Sequence, residues 1–517
     1  MPHRTPVARP LRAAWVGVVA GCAGLAAAEV VAAFVGDNAS PLVAVGATVV
    51  DATPPWLKDW AVRNLGSSDK SVLLGVVAMV VLLLAAVAGV QEVRRPRGGV
   101  PLVVVLCAAA CLAAVNRPGA GPWVLLPAVA ALAVGGWTLV TLARRARELP
   151  SRDAARADEA AGNDRRAFLR HTGAGLAGAL VVGGLGRAFG SQRVDVAASR
   201  AAVRLPTPLS PAPAAPVAAA APGATPFVTP LSDFYRVDTA LVVPRVRAED
   251  WTLRITGEVA RPLTLTFDQL LARPMVERWV TLTCVSNEVG GDLAGTARWL
   301  GAPLADLLRE AGPLDGADMV LSRSKDGMTI GTPLAALLDG RDALLAVGMD
   351  GAPLPLERGF PVRMVVPGLY GYVSATKWVV ELEVTRFSDA TAYWSSRGWS
   401  EQAPVKTASR IDVPRSRASA GRVQVGGVAW AQHRGVSKVE VRVDGGDWAQ
   451  AELLPVPSAD TWRQWRWEWD ATEGEHELEV RATDGTGAVQ TARRAAPAPD
   501  GATGYDSRTV RVSGART

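Results

Sequence analysis

Residues 279–308 read WVTLTCVSNEVGGDLAGTARWLGAPLADLL. Trp279, Val280, Thr281 and Thr283 are aromatic or β-branched, so the stretch up to Cys284 predicts a strand. Gly290-Gly291 breaks it, and the apolar spacing of Leu304–Leu308 predicts a short helix. A thiol therefore stands where a strand runs into a glycine-bearing loop. Cys284 is also set apart by count, because Cys22, Cys107 and Cys111 all lie in strongly apolar segments. It has no partner for an intrachain disulfide outside those segments. With no CxxC and no CxxCH, neither an iron–sulfur cluster, a zinc site nor covalent haem is expected. Two readings stay open: a buried, inert cysteine, or a thiolate ligand to a soft metal whose other ligands arrive with a cofactor.

The surrounding texture predicts a mixed α+β domain over residues 227–410. Trp251–Gly257, Trp279–Cys284 and Trp378–Thr385 read as strands, and Phe267–Leu271 and Leu304–Leu308 as short helices. From 411 to 517 the pattern turns all-β. Arg422–Ala429, Val436–Val443, Trp462–Asp470 and Glu475–Thr483 alternate between Asp-Gly and Gly-rich turns, a spacing that predicts an immunoglobulin-like sandwich. Trp465, Trp467 and Trp469 share one strand face there, which favours a core or a subunit interface over ligand stacking. Residues 191–226 are rich in Ala and Pro and predict an extended, semi-rigid linker.

Residues 1–190 form the membrane region. The apolar runs Leu11–Val35, Val72–Val90, Val100–Val115 and Trp123–Leu142 approach the ~20 residues that a spanning helix needs. Pro41–Val50 is too short and reads as re-entrant or interfacial. A fifth span is expected at Thr172–Gly186, after Arg165-Arg166 and Phe168, a pairing that resembles a twin-arginine export signal. Arginines at 4, 9 and 12, at 94, 95 and 97, and at 144, 145 and 147 share one side only if the N-terminus is cytoplasmic. The expected location is therefore a cell membrane, multi-pass, with everything after about residue 190 on the extracytoplasmic side and membrane lipid as a partner. Residues 1–170 carry 18 Lys and Arg against 11 Asp and Glu, and the remainder is close to neutral. The basic excess belongs to the membrane portion and argues for no nucleic-acid partner.

The four histidines, His3, His171, His433 and His476, leave no pair within a well-formed span for a bis-histidine haem. No GxGxxG opens a helix, and Gly290-Gly291 is not followed by GK[ST], so nucleotide binding has no support.

Three ordered blocks give the chain a family resemblance. WVTLTCVSNEVGGDLAGTARWLGAPLADLL (279–308), GFPVRMVVPGLYGYVSATKW (359–378) and DFYRVDT (233–239) together resemble the sulfite oxidase family of molybdopterin-dependent oxidoreductases. The resemblance implies a molybdenum–molybdopterin cofactor with Cys284 as metal ligand; from the motif and histidine counts above, no haem and no iron–sulfur cluster is expected beside it. It implies Tyr235, Arg236, Asn287, Arg298, Arg363 and Lys377 as cofactor-binding residues, Arg236 and Tyr393 as catalytic partners of Cys284, and a C-terminal dimerisation domain. Arg236-Val237-Asp238 replaces the Arg-Asn-His of sulfite-oxidising members, and Glu288-Val289 stands where they carry basic residues; Lys406 and Arg410 are candidates to restore positive charge. The implied chemistry is oxygen-atom transfer on a small anionic or S-oxide substrate, foremost the oxidation of sulfite or a related sulfur oxyanion. A separate electron carrier or the quinone pool completes the cycle, and a homodimer is implied. The alternatives are an S-oxide reductase of the same family and a non-enzymatic membrane-anchored binding protein.

Overall fold

The computed structural model describes residues 8–35, 39–54, 57, 60, 61, 64, 65, 68–117, 121–148, 195–216 and 221–514. Arg165-Arg166 and the expected span Thr172–Gly186 lie outside the described residues. The chain divides into two units: Met1–Asp195 with Ala240–Arg245, and Val196–Thr239 with Val246–Thr517.

The first unit is helical, with α1 (Ala8–Val35), α2 (Pro41–Ala52), α3 (Asp69–Arg94), α4 (Val100–Val115) and α5 (Leu126–Glu148). Among the described residues, three helices, Pro10–Val35, Asp69–Arg94 and Leu126–Glu148, are long and apolar enough to cross a membrane. The third expected span, Val100–Val115, falls short: α4 has 16 residues, a rise of about 24 Å at 1.5 Å per residue, against a hydrocarbon core of ~30 Å. The segment expected to be re-entrant is helix α2, started by Pro41 and by the Ser40 hydroxyl, which accepts the Val43 N–H. Small residues set the packing. A Cβ at Gly17 would stand 1.9 Å from the Ala85 carbonyl oxygen, so only glycine lets α1 and α3 approach this closely.

The second unit opens with the helix Val196–Ala202, and its residues 252–385 form strands β1 (Thr252–Gly257), β2 (Leu263–Thr266), β3 (Val276–Thr283), β4 (Ala294–Pro303), β5 (Met319–Ser324), β6 (Thr329–Pro333), β7 (Leu344–Met349), β8 (Ala352–Pro353), β9 (Arg363–Val365) and β10 (Val379–Thr385). One sheet has the order β2-β1-β10-β5-β6; the other runs β3-β4-β7-β8, with β9 on β7. Within these two sheets only the β1–β10 pairing is parallel. The helix Phe267–Leu271 falls where the sequence predicts it, fixed by a reciprocal capping box between Thr266 and Gln269. The helix predicted at Leu304–Leu308 extends to Ala311 and stops at Gly312, whose φ is +69°.

The C-terminal part contains β11 (Ala408–Val413), β12 (Arg417–Ser419), β13 (Gly421–Trp430), β14 (Val436–Val443), β15 (Ala449–Gln450), β16 (Glu452–Leu453), β17 (Arg463–Ala471), β18 (Gly474–Asp484) and β19 (Asp506–Ser513). They build the sheets β11-β13-β17-β16 and β12-β19-β18-β14-β15. Ile411, Val425, Trp465 and Trp469 of the first share one core with Val441, Leu478, Val480 and Val510 of the second. Trp467 packs against it only partly buried.

Two organisational expectations change. Strand β11 runs straight through the boundary expected at 410/411 and pairs with β13. The Ala/Pro-rich stretch is also no free tether over its described residues. The Leu209 N–H donates to the Met275 carbonyl at 2.7 Å, and the Glu277 N–H to the Ser210 carbonyl at 2.9 Å. The Trp279 indole N–H donates to the Pro213 carbonyl at 2.8 Å. An extended, proline-bearing chain keeps its carbonyls outward, and the open edge of β3 uses them. This composition specifies extended backbone; it does not specify whether that backbone stands alone.

Candidate active site

Strand alternation sorts the site. In the β3–β4 register Trp279 faces Arg298, Thr281 faces Thr296 and Thr283 faces Ala294. Directly opposed residues share a face of the sheet. On that face the Trp462 N–H donates to Thr281 Oγ1 at 2.7 Å, and Gln432 Nε2 donates to Thr283 Oγ1 at 2.8 Å. The C-terminal sheets therefore cover it. The opposite face carries Val280, Leu282 and Trp299. There Phe234 stands edge-on to Trp299 at 6.1 Å, and the Arg363 guanidinium lies 5.0 Å from the centre of the Trp299 ring.

Cys284, directly after β3, is buried. Its N–H donates to the Leu293 carbonyl at 2.9 Å, and its own carbonyl accepts the Asn287 N–H at 3.1 Å. Asn287 Oδ1 accepts the Leu293 N–H at 2.8 Å. Asn287 thus ties the two ends of the 284–293 loop and shapes the backbone on which Cys284 sits.

The C-terminal sheets grip the same loop. Arg410 Nη1 donates to the Gly291 carbonyl at 2.7 Å, while Nε meets Asp412 Oδ1 at 2.7 Å and Nη2 reaches Thr225 Oγ1 at 2.9 Å. Gly290 has φ +75°, and a Cβ there would stand 2.3 Å from Asp506 Oδ1, so both its conformation and its space demand glycine. Arg410→Ala leaves Asp412 buried without its cation, an expected loss of about 3 kcal/mol. Hydrogen exchange should then rise in residues 284–293 beyond the global fall in Tm; unchanged exchange in that loop would remove Arg410 from this role.

Four cations gather near the Cys284 face. Arg363 is buried with carbonyl acceptors: Arg358 O at 3.2 Å, Met364 O at 3.3 Å and Ala375 O at 3.4 Å. Burial pushes its guanidinium down to about 10. Arg358, also buried, donates to the carbonyls of Phe234 and Tyr235 and, at 3.3 Å, to that of Leu231. Its Nε is buried without a hydrogen-bond partner. Lys377 Nζ and Arg236 Nε both meet Asp238 Oδ2, at 2.8 and 3.0 Å. Beside Lys377, buried Trp378 holds φ +51°, a strained conformation for so bulky a residue. The phenols that feel Cys284 are those of Tyr235 and Tyr370, both raised chiefly by burial and further by the thiol. Tyr370 rises to about 12.

Burial also lowers Lys377 to about 8 from 10.5, against the pull of Asp238. Between those values the unfolded lysine keeps a proton that the folded one has lost, so this group makes stability rise with pH across that window. Anion binding runs the other way. The charge is present below pH about 8 and lost above it, so anion affinity should fall as pH rises through 8. Lys377→Arg should abolish that break, because guanidinium stays charged throughout. A titration of anion affinity from pH 6 to 10 that shows the same break in both proteins would exclude Lys377 as its source.

Of the residues expected at the site, Tyr235, Arg236, Arg363 and Lys377 come together on the Cys284 face. Arg298 does not. It occupies the opposite face of β4, paired with Glu277 Oε1 at 3.3 Å and lying 5.8 Å from the Trp279 ring centre; the strand's two-residue period separates it from its neighbour Trp299. Tyr393 is engaged with Arg397, 3.5 Å from its ring centre, and with Trp394, and its N–H donates to Thr329 of β6 at 3.4 Å. Lys406 pairs with Asp500 and Arg410 with Asp412, both at close range, so neither restores open positive charge. Arg358, Asp238 and Tyr370 were not expected. Two of them fall inside the quoted blocks, DFYRVDT and GLYGYVS, but single-sequence spacing does not say which block residue turns inward.

Residues 240–394 match the family model described as "Oxidoreductase molybdopterin binding domain". The chain is 30% identical to the sulfite oxidase of Gallus gallus over 318 residues, covering 51% of this chain and 68% of that protein. It is 30% identical to the mitochondrial sulfite oxidase of Mus musculus over 315 residues, 51% of this chain and 57% of the mouse protein. Among solved structures, the sulfane dehydrogenase SoxCD from Paracoccus pantotrophus superposes with a TM-score of 0.49 at 23% identity, covering 56% of this chain and 84% of that one. With its three motif blocks converging on one buried thiol, the chain belongs to the sulfite oxidase family of molybdopterin-dependent oxidoreductases.

Proposed function

We propose that this chain is a membrane-tethered molybdenum oxidoreductase that moves an oxygen atom to or from sulfur, foremost by oxidising sulfite or a related sulfur oxyanion. One observation carries the reading: a buried thiol shares its face with four cations, of which Arg363 and Arg358 are held by carbonyls. Such a site suits an anionic, thiolate-ligated group. Among the described residues no cluster of three or more His, Cys, Asp or Glu could hold a metal ion, which fits a metal that brings its own sulfur ligands. The orphaned Nε of Arg358 leaves one buried donor for a further acceptor.

Cys284 would ligate molybdenum, with Arg363, Lys377 and Tyr235 beside the pterin and its phosphate. The bound cofactor supplies two-electron oxygen-atom transfer. The protein's own residues do the rest: the Asn287-tied loop holds the thiolate in place, and the cations fix the anion's orientation through charge-assisted hydrogen bonds. Buried Trp299 and Phe234 wall this face with apolar surface and keep water from it.

Within the same reading, residues 227–407 form the catalytic domain, and the part that begins with β11 at Ala408 an immunoglobulin-like domain that mediates a homodimer. The N-terminal helices anchor the chain with the catalytic domain outside the cytoplasm, and electrons pass to a separate carrier or the quinone pool. The reverse reaction, S-oxide reduction, has one observation in its favour: the 284–293 loop exposes Glu288 and Asp292 and contains no Lys or Arg. Purified full-length protein should reduce an artificial acceptor when given sulfite. Turnover only with S-oxide and reduced viologen would reverse the direction, and a protein without molybdenum or pterin would end the enzymatic reading.

A further inference from the structure

The charge around the site is unevenly distributed. Arg358 and Arg363 are buried, with 7% and 4% exposure, and Lys377 retains 10% of its side-chain exposure. Arg236 keeps 33%. It is the member of the four that reaches solvent, and so the one an incoming substrate can meet. Yet its Nε is engaged by Asp238 Oδ2, and the same oxygen takes Lys377 Nζ. One carboxylate thus cancels one of the two positive charges carried by Arg236 and Lys377 and leaves the other. The Cys284 loop adds exposed Glu288 and Asp292 and itself contains no Lys or Arg. A dianion approaching from solvent meets a single net positive charge at Arg236 and Lys377, enough to balance a monoanion.

We propose that Asp238 is a specificity-determining residue that adapts this site to sulfur oxo-compounds carrying at most one negative charge. The inference rests on the oxygen-atom-transfer reading above and deepens it. Coulomb energy scales with the ligand's charge, so a fixed carboxylate beside the binding cation penalises a dianion twice as strongly as a monoanion. A neutral oxo-compound is penalised hardly at all. Arg236 still donates hydrogen bonds from its two terminal nitrogens, because only Nε is used by Asp238. Recognition by hydrogen bonding survives while long-range attraction is damped.

Three tetrahedral probes of matched shape separate charge from size: sulfate, methanesulfonate and dimethyl sulfone. Their binding to purified full-length protein is read by calorimetry and needs no turnover. In the wild type, sulfate should bind no more tightly than methanesulfonate. Asp238→Asn keeps the shape and removes the charge, and should tighten methanesulfonate about tenfold and sulfate about a hundredfold, with dimethyl sulfone within about twofold. Asp238→Glu, which keeps the charge, should preserve the wild-type order and controls for folding. Equal shifts for all three probes, no shift, or a wild type already preferring sulfate would overturn the proposal. So would a fall in molybdenum content in Asp238→Asn with sulfate affinity unchanged, which would assign Asp238 to the cofactor. A wild type that lacks molybdenum defeats the oxidoreductase reading separately, since the probe series still reports on Asp238.

Discussion

Cys284→Ser is expected to cost at least a hundredfold in turnover and to remove one sulfur neighbour from the molybdenum, as read by X-ray absorption. The two losses have one cause. Serine offers a hard, protonated oxygen where a soft metal favours thiolate, and its hydroxyl does not ionise near neutral pH. Substitutions one step further from a metal already cost about 10- to 100-fold, so loss of the ligand itself should exceed that. Metal content should fall less than activity if, as proposed, the cationic cluster holds the cofactor's phosphate and pterin. The fold should persist: the 284–293 loop is tied through backbone groups and Asn287, which the substitution leaves in place. A variant with undiminished turnover and an unchanged sulfur count would show that the metal does not use this thiol.

Arg363→Met should separate cofactor retention from stability. A buried guanidinium satisfied only by carbonyls is costly to the empty protein, and apolar replacement of buried charge is often neutral or stabilising by about 1–4 kcal/mol. Here three carbonyls lose their donor, which offsets part of that gain. The Tm of the cofactor-free protein should therefore stay within a few degrees of wild type. Cofactor retention should drop by roughly a hundredfold, the cost of one or two charge-assisted hydrogen bonds at about 1.5–3 kcal/mol each. Molybdenum and pterin per mole of protein, followed through dialysis, read the second effect, and calorimetry of the cofactor-free form reads the first. Parallel losses of both would mean that Arg363 is a structural residue and that the cluster's excess charge is not reserved for an anion.

These two expectations draw on different kinds of information, and so do the other features of the molecule. Cys284 was legible in the sequence because it is a lone thiol at a strand end beside a glycine pair, inside a block whose order repeats a family pattern. The helix Phe267–Leu271, and the strands around 436–443 and 463–471, were legible because capping residues and two-residue alternation act over a few positions. Arg298 was expected beside Cys284 because it lies in the same block; adjacent positions on a strand point to opposite faces, and the motif does not say which of them shares the face of Cys284. Tyr393 was misplaced because its position depends on how the segment after β10 settles over β6.

By itself, then, the sequence determined the class of each segment: apolar helices, a mixed α+β block, alternating strands, and a lone thiol at a strand end. Local rules suffice for these, since propensity, capping and periodicity are satisfied within a turn or a strand. Only the tertiary structure decided that the Ala/Pro-rich stretch lines the edge of β3, that Arg410 crosses from β11 to hold the Cys284 loop, and that Arg236 and Lys377 share the one carboxylate of Asp238. Each is a contact between residues distant in the chain. Its energy depends on burial and on which charges end up within a few ångströms, quantities that exist only once the sheets have packed.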